Sequence, residues 1–422
     1  MSRGDTGPRC AVVGAGIGGL TTALSLHEIG LRVEVFDSVK EVRPLGVGIN
    51  LLPHAVRELH ALGLLDELSA RSVAPAQLVY CTRRGQEIWR EERGLAAGYP
   101  WPQISLHRGV LQEILLQAFT ERVGAEALHL GQSLLRVEQE DGHPVGVLEN
   151  GRVKADVLIA ADGIHSVARA QRYPEEGPPL WNGSLLWRGV AEIEPVLDGR
   201  SMVWAGHPDQ KFVGYPIADL PDGRQLFNFI AELRRPDSDL ATREDWNHRG
   251  TLDDFLPQFK SWDFDWLDVP AIIGAASETF VFPMIDREPL PRWTFGRTTL
   301  LGDAAHPMYP IGSNGASQAI LSARVLAGCL RRSLDDPAAA LERYEEVRRP
   351  ATAAIVQANR GLGPELPMLL VEERAPDGFD DIAEVITPAE IACVTEDYRR
   401  TAGFSLAALQ RGVSLLDEPF PA

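Results

Sequence analysis

The chain has 422 residues, of which 45% are hydrophobic and 24% are charged. These values are close to the average of soluble globular proteins and argue against a disordered chain or a fibrous repeat. At about 150 residues per domain, the length predicts two or three domains. The formal net charge of −18 would repel nucleic-acid phosphates and anionic lipid headgroups, so we expect neither a nucleic-acid partner nor a membrane partner.

Four cysteines lie far apart, at positions 10, 81, 329 and 393. They form neither a CxxC pair nor a disulfide-dense pattern, which predicts a protein of the reducing cytoplasm. The histidine and cysteine spacings match no metal motif, so no metal site is predicted. The long uncharged stretch at 11–26 contains four glycines, which are unfavourable inside a helix, and we expect no membrane-spanning segment.

The first forty residues follow the β–turn–α–β pattern of a dinucleotide-binding unit. A β-type run at 10–13 leads into the G-x-G-x-x-G motif from Gly14 to Gly19, then into apolar residues at helical spacing and a second strand that ends at Asp37. Gly14 permits a sharp turn, Gly16 allows a pyrophosphate to approach, and Gly19 lets helix and strand pack closely. This pattern predicts a dinucleotide but does not separate NAD from FAD.

Two later segments repeat this arrangement. Residues 153–161 predict a buried strand that ends at Asp162, and residues 298–301 predict a strand that leads to Asp303. A glycine adjoins each acid at the carboxyl end of its strand, where open α/β sheets bind ligands. A helix is predicted to start near Asn314, with its dipole directed at electron-rich ligand atoms.

In this order, the three motifs resemble those of the single-component FAD-dependent aromatic monooxygenases, the family of para-hydroxybenzoate and salicylate hydroxylases. The resemblance covers roughly residues 10–360. It implies an α/β fold in which a Rossmann-like FAD-binding domain of the GR2 type carries an inserted antiparallel β-sheet substrate domain and a C-terminal helical tail. Shorter stretches are similar to the subgroup that includes phenazine-1-carboxylate monooxygenase: residues 52–56, 104–109, 186–189 and 314–318.

The family pattern implies discontinuous domains. We expect the FAD-binding domain at 1–72, 98–180 and 281–360, the substrate domain at 73–97 and 181–280, and a C-terminal helical segment at 361–422. Within the tail, Thr387-Pro-Ala-Glu390 forms a capping box that predicts a helix start. Residues 261–266, rich in aromatic side chains, are predicted to pack on one side of a helix. Short alternating runs predict the strands of the substrate sheet: residues 78–80, 87–90, 184–193, 201–205, 211–216 and 225–233.

The resemblance also implies a set of FAD-binding residues. The glycine motif would bind the pyrophosphate, and Asp37 the adenosine ribose. Arg108 and Asp303 would contact the ribityl–phosphate region, and Asp162 would support both FAD and transient NAD(P)H binding. Residues 310–314 would lie beside the isoalloxazine ring. The complete implied set is Gly14, Gly16, Gly19, Asp37, Arg43, Arg108, Asp162, Asp303, Pro310, Gly312 and Asn314.

In this family the substrate pocket lies between the flavin and the antiparallel sheet. The pocket candidates on the predicted strands are Arg188, Trp204, Tyr215 and Asn228. Strand alternation alone leaves open which face each one takes, and no residue is assigned as catalytic. Arg188 is a candidate to hold a substrate carboxylate, whereas the histidines at 107, 165 and 306 are interpreted as structural.

The resemblance implies an enzyme that uses NADH or NADPH and O₂ to hydroxylate an aromatic or heteroaromatic small molecule through a C4a-hydroperoxyflavin. We expect a cytoplasmic monomer or homodimer with a role in secondary metabolism. Two alternatives remain open at this point. One is a flavin-dependent dehydrogenase or oxidase of the same fold that acts without oxygen insertion. The other is a flavin-binding protein without catalytic activity.

Overall fold

The computed structural model describes residues 8–42, 46–236 and 248–419. Within these ranges the strands are β1 Arg9–Val13, β2 Arg32–Asp37, β3 Gly48–Leu51, β4 Gln77–Cys81, β5 Glu87–Glu92, β6 Ile104–His107, β7 Leu128–Leu130, β8 Leu134–Glu140, β9 His143–Leu148, β10 Gly151–Lys154, β11 Val157–Ala160, β12 Leu180–Ile193, β13 Ser201–His207, β14 Gln210–Asp219, β15 Gln225–Arg234, β16 Asp263–Phe264, β17 Leu267–Asp268, β18 Thr279–Asp286, β19 Thr294–Phe295 and β20 Thr298–Leu300. The α-helices are α1 Ile17–Glu28, α2 Pro53–Ala61, α3 Leu65–Ala70, α4 Arg108–Arg122, α5 Val167–Arg172, α6 Leu256–Phe259, α7 Val269–Gly274, α8 Gly315–Arg332, α9 Pro337–Arg360, α10 Leu366–Arg374, α11 Pro388–Thr401 and α12 Leu406–Leu409.

A six-stranded sheet carries the glycine-rich motif. Its strand order is β19-β20-β11-β1-β2-β7, and its neighbours are parallel except for β19 and β20. Helix α1 packs against α8 and α4, and the central strands β1 and β11 are buried, as expected for parallel strands covered on both faces. The predicted β–α–β unit over residues 10–37 is confirmed by β1, α1 and β2.

A seven-stranded sheet, with the order β18-β12-β15-β14-β13-β4-β5, lies beside the first. All the alternating runs predicted from the sequence are strands of this sheet. One neighbouring pair, β13 and β4, is parallel rather than antiparallel, because β4 comes from an early chain segment instead of a hairpin with β13. Strand β18 crosses the expected domain boundary at residue 280.

Two local predictions are wrong. The single strand predicted over 153–161 is two strands, because the Asp156 carboxylate accepts a hydrogen bond from the Arg9 backbone N–H at 2.8 Å and the chain changes sheets there. Strand β10 pairs with β9, whereas β11 pairs with β1. The helix predicted around residues 261–266 is the β16–β17 hairpin. Its chain leads directly to Asp268, whose side chain caps α7.

The C-terminal segment packs on the body of the protein. Helix α11 begins with the predicted capping box, in which Thr387 and Glu390 exchange hydrogen bonds. Further along, the Ser414 hydroxyl donates to the Glu58 carboxylate at 2.6 Å. Glu58 and Arg324 are buried and form an ion pair, and Arg324 also pairs with Glu28. The tail is thus fixed to a buried charge cluster between α1, α2 and α8.

Over the described ranges, no helix combines the length and the apolar character needed to span a bilayer. Likewise, the described residues include no group of three or more His, Cys, Asp or Glu side chains arranged to hold a metal ion.

We predict that the substitution Arg324→Met destabilises the fold by about 3 kcal/mol, because it removes a cation from a buried carboxylate cluster. The matched control is Arg331→Met. Arg331 also contacts the tail, through Asp417, but its side chain is 38% exposed, so its loss should cost less than about 1 kcal/mol. The free energy of unfolding of both variants is measured by urea titration monitored by circular dichroism. Equal destabilisation by the two substitutions would contradict the assigned role of the cluster.

Candidate active site

A cavity of about 340 Å³ lies between the two large sheets. The carboxyl ends of β1 and β20 and the start of α8 form one side, and one face of the seven-stranded sheet forms the other. The residues predicted from the sequence that line it are Gly16, Arg108, Arg188, Trp204, Tyr215, Asp303, Pro310 and Asn314. Residues separated by up to three hundred positions in the chain therefore meet in one space.

The glycine motif has a closely packed part and an open part. A Cβ at Gly14 would lie 2.2 Å from the Ala161 carbonyl oxygen, and one at Gly19 would lie 1.8 Å from the Gly14 oxygen, so both positions require glycine. A Cβ at Gly16 would meet no atom within 4 Å. Gly16 precedes α1, whose start has no side-chain cap. An open backbone surface at a helix N-terminus fits a pyrophosphate.

Asp37, the last residue of β2, and Asp162, which comes after β11, lie outside the cavity lining and hold the turns beside it. Asp37 accepts hydrogen bonds from the backbone N–H groups of Ala15, at 2.6 Å, and Val39, at 2.9 Å. A carboxylate has about four acceptor sites, so Asp37 retains acceptor capacity for ribose hydroxyls. Asp162 accepts from Val167 at the start of α5. Its other oxygen, Oδ1, is buried without a hydrogen-bond partner in the part of the chain that the structure describes.

Arg108 and Asp303 are charged residues of the cavity lining. Arg108 starts α4, and Asp303 belongs to the 3₁₀ turn Gly302–Ala304 after β20. Burial in the cleft raises the pKa of Asp303, and the Arg108 charge opposes that rise. The same burial lowers the pKa of Arg108, which Asp303 opposes. The pair presents one cation and one acceptor to a ligand that carries phosphates and hydroxyls.

The segment from Pro310 to Asn314 forms one edge of the cavity. Pro310, Ser313 and Asn314 line it, whereas Gly312 faces away and packs against Tyr398. A Cβ at Gly312 would lie 2.1 Å from the Tyr398 hydroxyl oxygen. That hydroxyl accepts a hydrogen bond from the Asn314 side chain at 2.8 Å, so the tail helix α11 holds the segment from behind.

Two of the four pocket candidates meet at Gly48. The Arg188 guanidinium donates to the Gly48 carbonyl at 2.8 Å, and the Asn228 side-chain oxygen accepts from the Gly48 N–H at 2.7 Å. Trp204 and Tyr215 are buried side chains of the cavity lining, whereas Asn228 lies just behind it. Arg43, the remaining candidate, lies outside the described residues.

Sequence reasoning missed a buried charge cluster in the same lining, formed by Lys211, Glu232 and Glu365. The Lys211 ammonium lies 2.8 Å from a Glu232 oxygen and 2.5 Å from a Glu365 oxygen. Burial alone would lower the pKa of Lys211, but the two carboxylates raise it. The one available signal in the sequence was the scarcity of lysine, with four in the chain. That scarcity does not indicate that Lys211 lies in the cavity.

Two of the three histidines interpreted as structural make hydrogen bonds within the fold. His306 is buried against Ser322, and burial lowers its pKa to about 3, so it stays neutral. His107 caps α4 by accepting from the Gly109 N–H at 3.1 Å. Neither belongs to the cavity lining, and His165 is exposed outside it.

Comparison with known proteins identifies the group that this site holds. A family described as FAD binding domain matches residues 9–234 and 275–359. The chain belongs to this FAD-binding family. The predicted cofactor, FAD, is therefore confirmed, and the open Gly16 backbone with Arg108 and Asp303 beside it fits that cofactor.

The relatives of this flavoprotein are aromatic hydroxylases and monooxygenases. Phenazine 1,6-dicarboxylic acid hydroxylase of Lysobacter antibioticus is 45% identical over 363 residues, which cover 83% of this chain and 88% of that protein. The 3-amino-4-hydroxybenzoate 2-monooxygenase PtnB3 of Streptomyces platensis is 33% identical over 378 residues, 88% of this chain and 90% of that protein. These matches confirm the predicted class, the FAD-dependent aromatic monooxygenases.

Solved structures confirm the predicted fold. A substituted form of Klebsiella pneumoniae HpxO complexed with FAD has a TM-score of 0.75 at 25% identity, over 94% of this chain and 98% of that one. A salicylate hydroxylase substrate complex has a TM-score of 0.75 at 23% identity, over 99% and 100% of the two chains, and supports the fold alone.

We predict that Gly16→Ala leaves the fold intact and weakens FAD binding at least about tenfold, since the added methyl group meets only the space where the pyrophosphate would approach. Gly274→Ala is the control: a Cβ there also meets no atom within 4 Å, and Gly274 is remote from the cavity lining. Flavin absorbance per protein, with circular dichroism of both variants, measures the effect. Full FAD occupancy in Gly16→Ala would contradict the phosphate-binding assignment.

Proposed function

We propose that the protein is a single-component monooxygenase that uses NADH or NADPH and O₂ to hydroxylate an aromatic or heteroaromatic acid. The observation that carries this proposal is the shared cavity, in which the FAD-binding side faces a sheet surface that combines apolar side chains with Arg188. The hydroxylase relatives support the same reaction. We further propose a cytoplasmic monomer or homodimer, with the domain division given by the sequence except that β18 belongs to the substrate sheet.

Under this proposal, the residues on the cofactor side of the cavity have separate roles in binding FAD. Bound FAD supplies the redox chemistry and the activation of O₂. The turn around Gly16 and the N-terminus of α1 bind its pyrophosphate, and Asp37 binds its ribose. Arg108 and Asp303 orient the ribityl–phosphate region. Asp162 holds the α5 turn beside the cavity and thereby supports FAD and NAD(P)H binding.

The segment at 310–314 sets the position of the flavin ring. Its backbone precedes α8, so the N-terminal dipole of that helix is directed into the cavity and stabilises negative charge on a bound group. Gly312 lets the segment pack directly on Tyr398. Because Tyr398 packs against this segment from behind, the segment would hold a bound flavin ring against the substrate wall.

The substrate wall binds and orients the ring and excludes water. Val213, Ile230 and Met284 supply apolar surface within the lining. Arg188 supplies a cation whose pKa is lowered by burial, and a substrate carboxylate would compensate its desolvation. Exclusion of water favours oxygen transfer over release of H₂O₂.

The direct test uses the purified holoenzyme with an aromatic panel. Phenazine-1-carboxylate, phenazine-1,6-dicarboxylate and 3-amino-4-hydroxybenzoate should stimulate NADH or NADPH oxidation in air. We expect at least one product that gains one oxygen atom, labelled when ¹⁸O₂ is supplied. Oxidation of substrate that continues without O₂ and adds no oxygen would instead establish the dehydrogenase alternative. A protein that contains FAD but oxidises no substrate with either nucleotide would contradict the proposal.

A further inference from the structure

We propose that Lys211, Glu232 and Glu365 form a substrate-recognition subsite that accepts hydrogen bonds from an N–H or O–H group of the aromatic acid, at the opposite end of the cavity from the carboxylate held by Arg188. This inference rests on the proposed function and deepens it. It names the substrate class as an aromatic acid with a hydrogen-bond donor remote from its carboxylate.

The sheet register places the two ends of the substrate cavity on one face of the sheet. Strands β14 and β15 pair Lys211 with Glu232, Val213 with Ile230, and Tyr215 with Asn228. Residues two apart in a strand share a face, so these three rows lie side by side. Arg188 pairs with Ile230 in the middle row, and its guanidinium reaches Gly48, whose N–H binds Asn228 in the outer row. The outer rows are four residues apart, or roughly 13 Å along the strand. This spacing suits a fused-ring system with a polar group at each end.

The Lys211 end has an excess of acceptors. One ammonium is shared by two carboxylates, each side chain at most 5% exposed, so the formal charge of the cluster is −1. Lys211 contacts the Oε2 atom of each glutamate, and nothing else in the described ranges donates to their Oε1 atoms. Burial and the neighbouring Glu365 raise the pKa of Glu232. An excess negative charge that is buried is unfavourable unless a donor compensates it.

The Arg188 end has an excess of donors. Across the structure's described part, the Nε atom of Arg188, the indole N–H of Trp204 and the side-chain nitrogen of Asn228 are buried without an acceptor. Trp204 pairs with Val213, so its ring also lies next to the apolar row. The opposite polarity of the two ends fixes the direction in which an asymmetric substrate binds.

The experiment titrates the FAD-loaded protein with three acids and follows the flavin absorbance, without nucleotide. The probes are 6-aminophenazine-1-carboxylate, phenazine-1-carboxylate and phenazine-1,6-dicarboxylate. To the Lys211 end of the cavity, the first presents a hydrogen-bond donor, the second no polar group and the third an anion. The amino compound should bind at least about tenfold more tightly than the unsubstituted acid, as expected for a hydrogen bond to a charged group. The dicarboxylate should bind more weakly than either.

In the variants Glu232→Gln and Glu365→Gln, the ratio of the affinity for the amino compound to that for the unsubstituted acid should fall toward one. The affinity for the dicarboxylate should rise. Glu192→Gln is the control, because Glu192 pairs with Arg224 in an exposed position of the same sheet and should leave the ratios unchanged. A purely structural cluster would lower the affinity for all three acids equally.

Two failures are distinguishable. If the acids perturb the flavin spectrum but bind wild-type protein equally, or if the glutamine variants keep the wild-type ratio, the subsite is contradicted and the proposed function stands. If none of the acids binds and none is oxidised in the turnover assay, the proposed function is contradicted, and the subsite with it.

Discussion

The contact between the glycine-rich turn and the end of β11 is the constraint on which the rest of the site depends. The Gly14 N–H donates to the Phe36 carbonyl at 2.7 Å, and the Ala161 N–H donates to the Val13 carbonyl at 2.7 Å, so the turn is held between β2 and β11. The same approach leaves no room for a Cβ at Gly14. Because this packing positions the start of α1, the open backbone at Gly16 faces the cavity rather than another strand.

Charge in the cavity is arranged locally and does not follow the net charge of the chain. The sequence carries −18 overall, yet the charged residues of the lining are three cations and three carboxylates, namely Arg108, Arg188, Lys211, Asp303, Glu232 and Glu365. Paired charges of this kind lower the cost of burial. An acidic protein can therefore bind an anionic cofactor, because the phosphates meet backbone N–H groups and Arg108 instead of the average surface.

Much of the fold could be predicted from short-range patterns, because the glycine motif, the capping box and the alternating runs are each encoded within a few residues. The two wrong predictions fail where a tertiary contact overrides the local pattern. Asp156 splits an apolar run by binding the Arg9 backbone, and residues 263–268 form a hairpin despite their aromatic spacing. The Lys211 cluster depends on strand register and on Glu365, 154 positions further along the chain, which no local pattern reports.

The C-terminal segment connects the two sides of the cavity. Through Tyr398 it braces the 310–314 edge, since that hydroxyl binds Asn314 and also donates to the Ile311 carbonyl at 3.1 Å. Through Glu365 it completes the charge cluster on the substrate wall. A Cβ at Gly363 would lie 2.8 Å from the Tyr398 ring, so the turn that carries Glu365 and the helix that carries Tyr398 are in direct contact. A displacement of this segment would therefore change both sides of the cavity together. The spacing between the 310–314 edge and the substrate wall thus depends on the C-terminal segment as well as on the two sheets.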